Sequence, residues 1–254
     1  MFNNRLKKEL YEGRPCFGTL ICNNSPDIVE ICGLAGFDFV ILDIEHGYMS
    51  PETTVNLIRA AQITGMTPIT RVTENSETII LRSLDVGAHG VQVPQINDAA
   101  SAQLAVQRAK YHPQGMRGVA FPRSADYGLV PIFDYFRREN EETMVVVHCE
   151  NVIGLRNLEE IAAVPGVDVI FLGPFDLSQS MGIPGQVGSP QIQEAANRVV
   201  KVCEQYGKIP GIYCNTADEA RKRAREGFKY IPIGMDSTLI SEAFKRVIDA
   251  VKMR

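Results

Sequence analysis

Eight short apolar runs rich in β-branched residues alternate with helix-like segments along the chain, and this alternation limits the fold more than any other feature. The runs cover residues 17–22, 39–42, 67–72, 89–94, 143–148, 167–172, 208–213 and 228–233. Helical patterns follow them, and two open with a capping serine and a proline at the first helical position, Ser25-Pro26 and Ser50-Pro51. Phe39-Val40-Ile41-Leu42 is apolar on both faces, as suits a parallel strand covered on both sides. Eight strands alternating with eight helices in 254 residues predict a single α/β domain over residues 1–254, a (β/α)8 TIM barrel. A doubly wound open sheet is the competing arrangement.

Three segments fall outside the repeat. Residues 111–142 carry Pro113, Gly115, Gly118, Pro122 and Pro131 with little periodicity. A connection this long inside one domain is expected to be functional or to hold an inserted element, such as a helix over 133–139. Residues 1–10 read as a surface helix and lack the apolar core of a secretory signal. The last helix, over 238–251, bears a stripe of Leu239, Ile240, Ala243, Val247 and Val251 that must be covered, by its own barrel or by a neighbouring subunit.

Composition excludes several partners. A net charge of -4 and a pI near 5.7 provide no basic face for nucleic acid or a membrane surface. No apolar run reaches membrane-spanning length. The cysteines at 16, 22, 32, 149, 203 and 214 form no C-x-x-C pair and sit in apolar patterns, which points to reduced, buried thiols and a cytoplasmic protein.

In a barrel, reactive side chains belong at the C-terminal ends of the strands. The second run stops at Asp43-Ile44-Glu45-His46, the third at Arg71, the fifth at His148-Cys149-Glu150 and the sixth at Gly173-Pro174-Phe175-Asp176. Strand alternation puts His148 and Glu150 on one side and turns Cys149 to the other, where it packs. Glu150 and Asp176 form either a pair of helix caps or a hard oxygen site for Mg²⁺ or Mn²⁺. Arg71 keeps its charge and needs an ion pair or an anionic ligand, while His46 can accept a proton near neutral pH. Lys208 and Lys229 fall at strand starts, away from the mouth, so a Schiff-base mechanism lacks its lysine.

At these positions the sequence resembles the HpcH/HpaI family of metal-dependent 2-oxo-acid (class II pyruvate) aldolases, from about Phe17 to the last helix. The motifs are Gly18, Asp-x-Glu-His at 43–46, Arg71, Arg-x-Leu-Asp-x-Gly at 82–87, Val-Gln-Val-Pro at 91–94, Gly115-x-Arg117-Gly118, Glu150 and Gly173-Pro-x-Asp-Leu-Ser178. The resemblance implies Glu150 and Asp176 as metal ligands and Arg71 as the group that stabilises an enolate. It also implies His46 as general base, Asp85 as the residue that raises its basicity, and Asp43 as a neighbour in that network. Gly173, Pro174, Phe175 and Asp176 are expected around the 2-oxo acid. The family has glutamine where this chain has His148, alanine at Phe175, and often a tryptophan near Leu20. His148 is therefore expected either to touch the substrate or to act as a third metal ligand, which would admit Zn²⁺ or Co²⁺.

These readings together predict a carbon–carbon lyase that cleaves a 4-hydroxy-2-oxo acid to pyruvate, or a close analogue, and an aldehyde. Oxaloacetate decarboxylation and a non-catalytic 2-oxo-acid-binding barrel are the alternatives. The family resemblance also implies a homo-oligomer, a hexamer built as a trimer of dimers that exchange the final helix.

Overall fold

Every strand of a closed barrel is flanked on both sides, so its residues must alternate between a central core and a shell of helices. The computed structural model, which describes residues 3–252, shows this division in eight parallel strands. They are β1 (Cys16–Ile21), β2 (Phe39–Asp43), β3 (Thr67–Arg71), β4 (Gly90–Val93), β5 (Met144–Cys149), β6 (Val169–Leu172), β7 (Ile209–Ile212) and β8 (Tyr230–Met235), closed in sequence order. Phe39 and Ile41 point into the barrel with Ile69, Val146, Val169, Phe171 and Tyr230. Val40 and Leu42, on the opposite face of β2, pack outward with Leu57 and Ile58. The same alternation turns Asp43, Arg71, His148 and Glu150 inward at the C-terminal mouth. Gly18 makes room for this core, since a Cβ there would stand 2.5 Å from the Phe39 ring.

The helices are α1 (Arg5–Tyr11), α2 (Pro26–Leu34), α3 (Pro51–Ile63), α4 (Glu77–Asp85), α5 (Ala99–Ala109), α6 (Ile132–Glu142), α7 (Val152–Arg156), α8 (Leu158–Ala162), α9 (Pro174–Ser180), α10 (Pro190–Tyr206), α11 (Ala217–Arg225) and α12 (Asp236–Lys252). Ser25 and Ser50 cap α2 and α3 as their Ser-Pro starts predict, each accepting a backbone N–H three residues on. Between β5 and β6 the helical segment breaks at Asn157 into α7 and α8, and the short α9 follows β6 directly.

One expectation needs correction. The N-terminal helix is not merely a surface element, because Leu6 and Leu10, four residues apart on α1, are buried in the interior barrel cluster. The insertion at 111–142 holds a 3₁₀ turn (Arg123–Gly128) and α6, and it joins α5 to β5. It therefore lies at the N-terminal end of the barrel, opposite the mouth. It is fastened by buried Arg117, which pairs with Glu139 and with Asp85 at the end of α4.

The last helix lies apart from the rest of the core. Only Asp236 in α12 is buried, while Phe244 is 72% and Val247 65% exposed, with Ile248 and Val251 on the same stripe. Among the described residues, no helix is long and apolar enough to cross a membrane.

Candidate active site

The mouth is built around an arginine held by two carboxylates. Asp43 and Arg71 stand opposite one another in the β2–β3 register. Arg71 Nε donates to Asp43 Oδ1 at 2.9 Å and Nη2 to Oδ2 at 2.5 Å, while Nη1 lies 3.2 Å from Glu45 Oε2. A guanidinium has five N–H donors, so one on each Nη remains for a ligand. Burial by itself would raise the Asp43 pKa, but Arg71 and the backbone N–H groups of His46 and Glu45 outweigh it and hold the carboxyl below its usual range. Burial raises Glu45 instead, despite the charge on Arg71. Asp43 thus holds Arg71 in place, a role apart from the His46 network in which it was expected.

Asp43→Asn is expected to cost about 3–5 kcal/mol at pH 7, because it removes the buried, two-point anionic partner of the guanidinium and leaves only the single contact to Glu45. The folded-state pKa of Asp43 lies below its unfolded value of about 3.9. The contribution of the charged form is therefore complete above that value and is lost as pH falls through the lower folded one. Denaturant titrations should show the gap between wild type and variant closing over that window; a gap unchanged in strong acid would contradict the assignment.

The second half of the mouth comes from β5 and β6. Glu150 follows β5 and is buried; its Oε1 accepts the Gln95 backbone N–H at 2.7 Å, and its Oε2 lies 2.6 Å from His148 Nδ1. Gln95 has φ of 57°, a left-handed conformation unfavourable for a side-chain-bearing residue, and this turn presents its N–H to the carboxylate. Burial would raise Glu150 as well, but the His148 ring and the Gln95 N–H bring its pKa below the usual range. Gly173 and Pro174 lead β6 into α9, whose first turn carries Asp176. A Cβ built on Gly173 would stand 3.1 Å from Glu150 Oε2 and 3.8 Å from Asp176 Oδ2. Both carboxylates therefore face one small space that a glycine leaves open, and two hard oxygen donors fit a divalent cation completed by water or substrate.

Among the described residues no group of three or more His, Cys, Asp or Glu side chains could hold a metal. His148, expected as a third ligand or a substrate contact, is held by other partners. It is 2% exposed, and its other nitrogen, Nε2, lies 2.7 Å from Gln92 Nε2, so the ring has no free atom for a metal or substrate. The expected substrate contact at His148 is replaced by contacts inside the barrel.

His46 follows β2 at the mouth; its imidazole is exposed and makes no hydrogen bond among the described residues. Asp85 does not reach it. It ends α4, which runs back from the mouth, and its carboxylate is bound by Arg117 at 2.8 Å on the far side of the barrel. Within the chain the expected His46–Asp85 pairing is therefore absent. Phe175, 45% exposed, lies edge-on to Tyr213 at 6.1 Å and forms one wall of the mouth. Cys22 Sγ lies 3.5 Å from Asp43 Oδ2, and burial and that carboxylate push the thiol up to about 12, so it is neutral.

Sequence reading gave no role to Glu45, Gln92, Gln95 or Tyr230. Gln92 was the most visible of them, a polar residue at an inward position between two valines. The left-handed turn at Gln95 has no sequence signal beyond the preceding proline.

The sequence and fold are similar to those of known proteins. Residues 17–243 match the HpcH/HpaI aldolase/citrate lyase family. The chain is 32% identical to the 5-keto-4-deoxy-D-glucarate aldolases of Klebsiella pneumoniae and Escherichia coli, over 99% of this chain and 98% of each relative. Its structure is similar to that of an HpcH/HpaI aldolase/citrate lyase family protein from Burkholderia cenocepacia, with a TM-score of 0.93 at 29% identity over 98% of this chain and 100% of the other. It is also similar to citrate synthase SbnG, with a TM-score of 0.89 at 31% identity over 98% and 97%. The chain belongs to the HpcH/HpaI aldolase/citrate lyase family, and within it is a carbon–carbon lyase of the aldolase kind.

Proposed function

We propose that the chain reversibly cleaves a 4-hydroxy-2-oxo acid to pyruvate, or a close 2-oxo acid, and an aldehyde, with a divalent cation held by Glu150 and Asp176. The observation that carries this reading is the convergence of those two carboxylates over Gly173. With two carboxylates and no third side-chain ligand, the donor set suits Mg²⁺ or Mn²⁺; Zn²⁺ and Co²⁺ lose the nitrogen ligand that would favour them. The bound ion supplies Lewis acidity to the 2-oxo group.

The chain's own residues supply the rest. Arg71, immobilised by Asp43 and Glu45, presents its remaining N–H donors to the keto oxygen as negative charge gathers there. His46 accepts the proton of the C4 hydroxyl, directly or through a water. As that proton leaves, the C3–C4 bond breaks, its electron pair passes into the 2-oxo acid as an enolate, and C4 departs as the aldehyde. Protonation at C3 then gives pyruvate. Phe175 and Tyr213 narrow the side of the mouth where the aldehyde would leave.

The relatives' named compound fits this class. Numbered from its keto end, 5-keto-4-deoxy-D-glucarate is itself a 4-hydroxy-2-oxo acid, so it is the first substrate to test. Pyruvate release from it should exceed release from oxaloacetate. Faster release from oxaloacetate would identify a decarboxylase instead.

The exposed stripe on α12 supports a homo-oligomer, a trimer of dimers that exchange this helix, because Phe244, Val247, Ile248 and Val251 would otherwise remain in water. Light scattering at micromolar concentration should return a multiple of the 28.1 kDa chain. A monomer would refute the assembly and leave the chemistry untouched.

A further inference from the structure

Beneath the mouth, three buried side chains from strands far apart in sequence form one line of hydrogen bonds ending on Glu150. Tyr230 OH on β8 donates to Gln92 Oε1 on β4 at 3.0 Å, and Gln92 Nε2 lies 2.7 Å from His148 Nε2 on β5. His148 Nδ1 in turn lies 2.6 Å from Glu150 Oε2. Tyr230, Gln92 and His148 are all buried, and Phe171 lies between the rings of His148 and Tyr230, at centroid distances of 4.9 and 6.0 Å.

The direction of the line follows from the donor inventory. An amide nitrogen can only donate, so His148 Nε2 accepts from Gln92 and the ring proton resides on Nδ1. That proton is given to Glu150 Oε2, while the Gln95 N–H is given to Oε1. Each oxygen of the carboxylate thus receives one N–H from a rigid part of the barrel and keeps a lone pair for another partner.

We propose that His148 is a positioning residue for cation binding: its Nδ1–H, oriented by Gln92 and Tyr230, locks the Glu150 carboxylate in the rotamer that faces Asp176. This rests on the reading that Glu150 and Asp176 hold the metal. It assigns to His148 neither substrate contact nor ligation, and it makes Gln92 and Tyr230 parts of the site at one remove. Partners that orient a metal ligand in this way typically contribute 10- to 100-fold in affinity.

The test uses two substitutions of equal shape. Asparagine carries its amide nitrogen on Cγ, where histidine carries Nδ1, so His148→Asn can keep the donor to Glu150. His148→Leu has the same branched outline and no donor. Mn²⁺ alone is titrated into each full-length protein by calorimetry, with thermal melts in the absence of metal showing that each is folded. His148→Asn should bind Mn²⁺ within a few-fold of wild type, and His148→Leu about 10- to 100-fold more weakly. Equal affinity of the two folded variants would overturn the proposal, since a packing role is served as well by leucine as by asparagine. Failure of the wild type itself to bind Mn²⁺ would instead overturn the metal reading on which the proposal rests.

Discussion

Replacing Glu150 or Asp176 by alanine is expected to abolish both cation binding and aldol cleavage. Either change leaves one carboxylate facing the space over Gly173, and a single carboxylate does not hold a divalent ion at ordinary concentrations. A cation at a developing oxyanion is worth several kcal/mol, so turnover should fall by about 10³-fold or more. The two variants should differ in stability. Glu150 is buried and takes two N–H donors, which its loss leaves unpartnered, whereas Asp176 is exposed in the first turn of α9. Glu150→Ala should therefore melt lower as well as bind no metal, while Asp176→Ala should lose metal with little change in melting. Mn²⁺ titration and pyruvate assay on both proteins check this; metal binding retained in either would remove that residue from the ligand set.

His46→Ala is expected to slow aldol cleavage by about 10²- to 10⁴-fold, the usual worth of a general base. Oxaloacetate decarboxylation should suffer much less, because it needs no hydroxyl proton removed while Arg71 and the metal site remain intact. The exposed position of His46 matters here. With no side-chain partner among the described residues, the imidazole is free to turn toward a substrate hydroxyl. Measuring both reactions on the same preparation separates the roles. Equal losses in the two, with cation affinity unchanged, would make His46 a group that binds or orients the 2-oxo acid.

The barrel was legible because its signal is local. Most strands are short, largely apolar runs, several helix starts such as Ser25-Pro26 and Ser50-Pro51 carry their own cap, and closure follows from eight repeats. The ends of the strands were legible for the same reason: an apolar run that stops at Asp43 or Glu150 places a charge at the mouth without any knowledge of what lies across from it. Partnerships across the barrel were not. Gln92 and His148 are 56 residues apart and Gln92 and Tyr230 138 apart, and only the register brings them together. His148 was expected as a substrate or metal contact because it stands where the family has glutamine; the partners that hold it, Gln92 and Glu150, follow only from the register and the turn after β5.

Within the chain Asp85 meets Arg117 and not His46, for a different reason. Its motif suggested a partner, but helix direction alone puts the C-terminal end of α4 at the far side of the barrel from His46, where Arg117 binds it. On α1, Leu6 and Leu10 are a four-residue apolar pair among charges, and that spacing was enough to indicate a buried edge.

The central claim is that a divalent cation on Glu150 and Asp176 drives aldol cleavage at this mouth. Its most direct test is pyruvate released from 5-keto-4-deoxy-D-glucarate by protein stripped with a chelator and then resupplied with Mg²⁺ or Mn²⁺. Release should vanish on stripping, return with the cation in the wild type, and fail to return in Glu150→Ala. Release undiminished by exhaustive chelation would contradict the account.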